Sequence, residues 1–483
     1  MSYSKLALRI CLVALVLTGL SGCFSSERAT VVTDDQVLSP ARPNILLILA
    51  DDAGWGDFGF QGAADLRTPN LDQLALDGTI FTQAYVSASV CSPSRAGLLT
   101  GRYQQRFGHE CNLEPLQARA FDSNQISIAE ALRDEGYHTA AFGKWHLGEM
   151  EHQHPLRNGF DHFYGFLAGG RTYFPDPKVD RAGDPHALLD DYAQTNFEGY
   201  LTDELGDKAA RYVEQRATDS RPFFAYLAFN APHTPMEATE EDLALFPNHD
   251  RPVYAAMVYA MDRAIGRVIQ SLKANGVYEN TLIFFLSDNG GAHSNDSSVG
   301  PLKGWKGNQF EGGLRVPFLA SWPNRLPAGN QHFGMISSLD VYATAIHAAG
   351  GTPAPALDGS SLLTLLEKGD SQAPNHEALY WRKDEMSTIR YGDHKLIHLD
   401  EFGDVVYASR NNIIDEDTNL ATSDKDLHDS LSLALQAWEN TLKDPIWVEG
   451  ERWNEVTRHI YERLMQNDTV LYKDPAQMRN SRK

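Results

Sequence analysis

The sequence predicts an α/β protein: a large, mainly parallel sheet sandwiched by helices, with a smaller C-terminal α+β domain built on antiparallel sheet. Three observations predict it. Short unbroken apolar runs (NILLILA at 44–50, FFAYLA at 223–228, TLIFFLS at 281–287) read as strands buried on both faces. Segments with helical start and stop signals lie between such runs, so strands alternate with helices. From about residue 375 the texture changes to short alternating stretches, as in a hairpin or meander.

The elements follow in order. PNILLILADD is a buried strand ending in Asp51 and Asp52. Thr68 and Pro69 open a helix over NLDQLALDG, with Thr68 as cap, Pro69 in the first turn and Gly78 as the stop. Ser127 and Glu130 in SIAEALRDEG form a capping box, closed by Gly136. HTAAFGKWHLG, FFAYLAFNAPHTP and TLIFFLSDNGG each run from strand into loop. Polar groups stand where those strands end: Asp51 and Asp52, Lys144 and His146, His233, and Asp288 with Asn289. In open α/β sheets ligands bind beyond the carboxyl ends of the strands, so these four ends are expected to meet at one crevice. ALYWRKDEMSTIRYGDHKLIHL (378–399) reads as the antiparallel part, followed by a helix over 426–442 and a polar tail.

The chain of 483 residues is long enough for two domains, expected at 42–374 and 375–483. The N-terminus reads as a targeting segment. Lys5 and Arg9 precede the apolar run CLVALVLTGL, and LSGC at 20–23 resembles the bacterial lipoprotein box. This predicts a signal peptide over 1–22, lipidation at Cys23 and a polar tether over 23–41. A plain signal peptide with a cysteine at that place is the alternative. The expected location is the periplasm or outer membrane of a bacterium, with the membrane met only through the lipid. Formal charge is −22, and loss of Lys5 and Arg9 with the leader takes it to −24. Such a surface does not attract nucleic acid.

Four cysteines are present. Cys11 leaves with the leader and Cys23 is assigned to the lipid, so Cys91 and Cys111 remain, enough for at most one disulfide. Cys111 lies in no motif and reads as an inert thiol. Cys91 opens CSPSRAGLLTGR, in which Pro93 suits the first turn of a helix. A residue at a helix N-terminus faces oriented N–H groups and the positive end of the dipole, which favour an anion.

ADDAGWGD, CSPSRAGLLTGR, GKWHLG, PHTP, SDNG and KGNQFEGGLRVP occur in that order in one chain. Together they resemble the type I sulfatases, the formylglycine-dependent arm of the alkaline-phosphatase superfamily, from Pro43 to the C-terminal end. The resemblance implies that Cys91 is oxidised to formylglycine by a maturation enzyme, with Pro93 and Arg95 completing the C-x-P-x-R signal. It implies a calcium ion held by Asp51, Asp52, Asp288, Asn289 and the modified Cys91, an oxygen set that suits a hard cation. No Cys/His spacing supports a zinc site. It further implies that Arg95 orients the hydrated formylglycine and that Lys144 and Lys306 stabilise the sulfuryl oxygens. Asp288 and His146 would take protons, and His233 would donate one to the leaving oxygen. Lys306, rather than Lys303, directly precedes the Gly-Asn-Gln-Phe-Glu-Gly-Gly segment. Glu311, Gly312, Gly313 and Arg315 are expected to shape the turn that carries it.

The expected substrate is a sulfated polysaccharide or its oligosaccharides, with a carrageenan-type galactan as the leading choice. Substrate contacts are expected from the long loop 169–191, through Arg171, Tyr173 and His186, and from His109, His293 and Lys303. Two other readings stay open: a phosphate or phosphonate monoester hydrolase of the same superfamily, and a non-catalytic binder of sulfated glycans.

Overall fold

The computed structural model describes residues 42–113, 122, 124–400 and 402–467. The leader, Cys23 and the tether lie outside the described residues. Arg42 onward forms one compact unit. No helix among the described residues is long and apolar enough to cross a membrane.

The first sheet has ten strands: β1 (Asn44–Ala50), β2 (Thr79–Tyr85), β3 (His138–Lys144), β4 (His162–Phe166), β5 (Leu189–Asp190), β6 (Ala193–Gln194), β7 (Phe223–Ala228), β8 (Thr281–Ser287), β9 (Phe318–Ser321) and β10 (Asn330–Ser337). Their order across the sheet is β10-β2-β9-β8-β1-β7-β3-β4-β5-β6. The block β8-β1-β7-β3-β4 is parallel throughout, and β9 runs antiparallel to both its neighbours. Successive side chains of one strand face opposite layers, so a strand covered on both sides must be apolar at every position. β1 shows this directly. Leu46, Ile48 and Ala50 join one core, and Ile45, Leu47 and Leu49 join the other, all fully buried.

The helices are α1 (Pro69–Leu76), α2 (Cys91–Thr100), α3 (Ile128–Asp134), α4 (Leu201–Arg216), α5 (Glu240–Leu243), α6 (Pro252–Ala274), α7 (Glu311–Leu314), α8 (Asp340–Ala348) and α9 (Leu362–Lys368). α1, α4 and α6 cover one face of the sheet, and α2, α3, α8 and α9 cover the other. Two local expectations need correction. Thr68 does stand at the N-cap of α1, but its hydroxyl accepts from Gly59 N (2.9 Å) and donates to Asp72 (3.1 Å), so it caps no N–H of the helix. Gly78 is not a left-handed stop either. A Cβ there would lie 2.3 Å from the Ala320 carbonyl, so glycine permits close approach to β9. At α3 only the Ser127 half of the expected capping box forms: Ser127 Oγ accepts from Glu130 N at 3.0 Å, the Glu130 side chain returns no bond to Ser127 N, and Gly136 follows with φ +87°.

The second sheet is an antiparallel meander of β11 (Ala378–Lys383), β12 (Met386–Tyr391), β13 (His394–Leu399), β14 (Gly403–Arg410) and β15 (Ile413–Asp415). The expected boundary at 374/375 falls between α9 and β11. α10 (Lys425–Glu439) packs Leu431, Leu435 and Trp438 on Ile389, Leu396 and Val406. The residues expected to form only a polar tail instead carry α11 (Glu451–Met465), whose Tyr461 and Leu464 pack on Ile397, Val405 and Tyr407. Burial of two such side chains outweighs the polar composition of the segment.

Candidate active site

The site is assembled by register. Ala50 pairs with Ser287, Leu49 with Ala228, and Ala228 with Gly143, so β8, β1, β7 and β3 end at one level. The next residues on each strand are therefore neighbours in space. Gly143 makes the alignment possible: its φ is +96°, and a Cβ would lie 2.0 Å from the Ala228 carbonyl. Asp51 N donates to Ala231 O and Asp288 N to Ala50 O, both at 3.0 Å, which ties three of the ends together. Asp52 (φ 65°) and His146 (φ 59°) both sit in the left-handed region, a strain that clusters at functional sites.

β2 leads into α2, and Cys91 is the first residue of that helix, buried beside its N–H groups. Cys91 Sγ lies 3.2 Å from Lys306 Nζ, 3.5 Å from Asp51 Oδ1 and 3.9 Å from Asp52 Oδ1. Lys144 Nζ reaches Asp51 at 2.6 Å, and Lys306 Nζ reaches Asp52 at 2.6 Å. Arg95, one turn beyond Cys91, donates through Nε (2.9 Å) and Nη2 (2.8 Å) to Asp288 Oδ2 and through Nη1 to the Lys144 carbonyl (2.9 Å). Three carboxylates thus face three cations in a buried cluster. Such charges persist out of water only when each is paired.

The electrostatics differ by residue. Burial, joined by the charge of Asp51, raises Asp288 to about 6 against the pull of Arg95. Burial also acts on Asp52, but Lys306 and His233 overcome it and hold that carboxyl well below the usual range. Burial lowers His233 to about 4. Its Nδ1–H donates to Thr234 O at 2.6 Å, which leaves Nε2 facing Asp52 Oδ2 at 3.6 Å. Burial drives His146 far down as well, assisted by Lys144 and Arg95.

The acidic cluster could hold a cation. Asp51, Asp52, Cys91 and His233 each present a ligand atom, all within 4.8 Å of one another. Asn289 adds the most telling atom. Its Nδ2 donates to Asp52 Oδ1 (2.8 Å) and to Gly290 O (2.9 Å), while its fully buried Oδ1 has no hydrogen-bond partner. A buried acceptor left bare costs about 1–3 kcal/mol, and a cation among these oxygens removes that cost.

Beneath the site, Ser92 Oγ donates to the His146 carbonyl at 2.8 Å. Its single proton is thereby used, so His109 Nε2–H is the donor in the 2.8 Å contact with the same oxygen. Burial keeps His109 neutral, down at about 3. The Lys306 turn is fastened from the second sheet. Glu311 accepts from Tyr85 OH (2.7 Å) and pairs with Lys395 (3.1 Å), and Glu416 accepts from Glu311 N.

The proposed substrate contacts fall in different places. Arg171 has no exposed side-chain surface and is committed to Asp180, the His186 carbonyl and the face of Phe197. Tyr173 is fully buried, and its hydroxyl serves the carbonyls of Asn230 and His233. Lys303 joins Glu416 O, Asp417 and Asn467, and so braces the second sheet. His109 is held under α2. These four are therefore out of reach of a ligand in the crevice. His186 is half-buried and bonded to Asp184, and His293 lines the crevice with its ring 4.0 Å from that of Trp305.

A crevice of about 530 Å3 opens from Lys306 and His233, and the segment expected to be a polar tail supplies much of its lining through Val448, Glu449, Val456 and Ile460. Ile446 N bonds Gly108 O (2.9 Å) and Trp447 Nε1 bonds Asn112 O (3.1 Å), with Trp447 against His109. Apolar Ile446, Trp447 and Val448 inside an otherwise polar stretch were the signal available in the sequence.

A buried cysteine at a helix N-terminus, a cluster of acidic side chains and paired lysines thus stand together beyond the strand ends of this sheet, where open α/β sheets bind their ligands. Residues 43–351 match the family model described as Sulfatase. The chain is 34% identical to N-acetylgalactosamine-6-sulfatase of Canis lupus familiaris, over 74% of this chain and 72% of that one. It is 32% identical to arylsulfatase G of Rattus norvegicus, over 82% and 81%. The solved structure of Ps i-CgsB in complex with k-i-k-neocarrahexaose is 36% identical, with a TM-score of 0.80 over 87% of this chain and 97% of that one. The chain belongs to the sulfatase family, whose members hydrolyse sulfuric esters and generally use formylglycine and a metal ion.

Proposed function

We propose that this sulfatase acts on a sulfated polysaccharide or its oligosaccharides, a carrageenan-type galactan before others, with formylglycine formed from Cys91 and with calcium. The observation that carries the chemistry is the setting of Cys91. Burial pushes its thiol well above the usual range, and Lys144 and Lys306 do not offset this, so the side chain is a poor thiolate. It nevertheless stands at the meeting point of two aspartates, a lysine and a helix N-terminus. The galactan reading is supported by the 36% identity to a protein solved with a neocarrahexaose.

Asp51, Asp52, Asp288 and Asn289 would hold calcium, which supplies charge neutralisation and lowers the pKa of a hydroxyl it binds. Formylglycine at position 91 would supply, as its hydrate, two hydroxyls on one carbon: a nucleophile and a route for release of sulfate. The chain's own residues do the rest. Lys144 and Lys306 bind sulfuryl oxygens as charge redistributes. Asp288 would take the proton of the attacking hydroxyl. His233 offers Nε2 to the leaving oxygen. An anionic ester beside Nε2 adds to the charge of Asp52, so substrate binding raises His233 and equips it to donate. His146, kept neutral by burial and bonded through its backbone carbonyl to Ser92, would accept the last proton.

Peptide mass at Cys91, read together with sulfate release, tests the chemistry. The converted protein should carry an aldehyde in place of the thiol and release sulfate from carrageenan oligosaccharides. The Cys91→Ser variant should bind them and lose more than ~1000-fold in kcat. Full activity in that variant would sink the nucleophile assignment. Export rests on the leader and Cys23: Cys23→Ala should move the protein from the membrane to the soluble fraction, and an unchanged distribution would refute the lipid anchor.

A further inference from the structure

The first turn of α2 carries residue 91, yet the residue that precedes it cannot cap that turn. The N-cap position is Val90, whose side chain has no acceptor. Pro93 has no N–H, and the first bond within the helix runs from Ser94 N to Val90 O at 3.3 Å. Ser92 N is bonded instead to Asn112 Oδ1 at 3.0 Å, from 20 residues further along the chain. Asn112 thus does from a neighbouring loop what an N-cap side chain ordinarily does from within the helix.

Asn112 is itself held by a distant segment. Its carbonyl accepts from Trp447 Nε1 at 3.1 Å, and the Trp447 ring lies 4.7 Å from that of His109. Lys443 N bonds Gln105 O (3.3 Å) and Ile446 N bonds Gly108 O (2.9 Å), so the two segments run side by side. Gly108, with φ +76°, permits this approach, since a Cβ there would lie 2.7 Å from the Asp444 carbonyl oxygen. Ser92 is therefore pinned at both polar atoms: its N by Asn112, its Oγ by His109 and the His146 carbonyl. Asn112 and Val90 also line the crevice that Lys306 and His233 open into, which sets the cap beside the reaction centre.

We infer that Asn112 is a positioning residue for sulfate-ester hydrolysis: it fixes the first turn of α2, and with it residue 91, against Lys306 and Asp51. This rests on the reading of residue 91 as the nucleophile. A frayed first turn lets that residue drift, and a displacement of ~1 Å costs ~100-fold in rate. The neutrality of the amide matters as well. An aspartate at 112 would accept the same bond but would set a negative charge on a crevice that receives an anionic ester.

The test uses the full-length protein, with kcat counted per aldehyde-bearing chain as read from peptide mass at residue 91. Asn112→Ala should lower kcat on p-nitrophenyl sulfate about 10-fold and leave KM within ~2-fold of wild type. Asn112→Asp should hold kcat within ~3-fold and raise KM at least ~5-fold. A residue that merely supported the fold would not divide kcat from KM in this way. Trp447→Phe keeps a ring on His109 and loses the N–H that holds Asn112, so kcat should fall about 3-fold at unchanged KM. A kcat in Asn112→Ala within ~2-fold of wild type, or a loss of kcat in Asn112→Asp equal to that in Asn112→Ala, would overturn the assignment. Full activity in Cys91→Ser would instead remove the nucleophile reading, and the role of Asn112 with it.

Discussion

Gly290 joins the two halves of the site, and a single methyl group there should disable it. Asp288 and Asn289 lie on one side of this glycine, and the turn that carries Lys306 packs on the other. Gly290 N bonds Gly313 O at 3.1 Å, and Lys306 N bonds Gly291 O at 2.9 Å. In Gly290→Ala the new Cβ would stand 1.9 Å from the Gly312 carbonyl oxygen and 2.7 Å from Gly313 Cα. Both neighbours are backbone, so no side chain can swing away. The loops must part by about 1.1 Å before the closer contact reaches even 3.0 Å. Misplacement of catalytic groups by ~1 Å costs ~100-fold in rate. Overpacking of this kind costs about 1–3 kcal/mol in stability, which leaves a large domain folded with Tm lowered by a few degrees. The expected result is a folded protein whose kcat/KM on p-nitrophenyl sulfate falls at least ~30-fold. Activity within threefold of wild type would show that the two loops yield without moving Lys306 against Asp52, and would refute the reasoning.

Three further outcomes are expected. Asn289→Ala should weaken calcium binding at least ~10-fold by calorimetry, because the bare buried Oδ1 is lost; equal affinity would take Asn289 out of the ligand set. Ser92→Ala should lower kcat about 5- to 10-fold with KM and calcium affinity unchanged, because the hydroxyl holds His146 rather than substrate; an effect on Tm alone would leave it a purely structural residue. His398, raised to about 9 by its hydrogen bond to Asp404, binds its proton more tightly folded than unfolded. Its contribution to stability is therefore full below about pH 6.5 and lost as pH rises through about 9. The Tm gap between wild type and His398→Gln should be present at pH 6 and closed by about pH 9.5. The gap should be small, because His398 is well exposed.

Much of the fold and the reaction centre was legible because both rest on local pattern. Unbroken apolar runs can satisfy a strand only when both faces are covered, and the polar pairs that end them can then lie only at the edge of the sheet. Cys91, Arg95, Lys144, His233, Asp288 and Lys306 stand in five of the six ordered motifs, and the structure gathers them around Asp51 and Asp52 of the remaining one. Illegible parts depend on long-range packing. Arg171 and Tyr173 look like binding residues in a long loop, yet each is consumed in holding that loop and the His233 turn in place. Nothing local distinguishes an arginine that meets a ligand from one that meets Asp180. α11 is a different case: Trp453, Val456, Ile460 and Leu464 recur at three- and four-residue spacing, so its amphipathic pattern was legible in the sequence although the segment as a whole is polar.

By itself the sequence determined the class of sheet, the place of the cysteine proposed for conversion and the charged groups that would surround it, since each follows from motif and strand-end position. Only the tertiary structure decided what encloses the crevice beside Lys306 and His233. Residues 105–112 and 443–449 meet through backbone bonds such as Ile446 N to Gly108 O and through Trp447 on His109, across more than 330 positions of chain. Contacts at that separation are selected by the closed fold and leave no periodicity along the chain, so the wall of the crevice exists only once both sheets are in place.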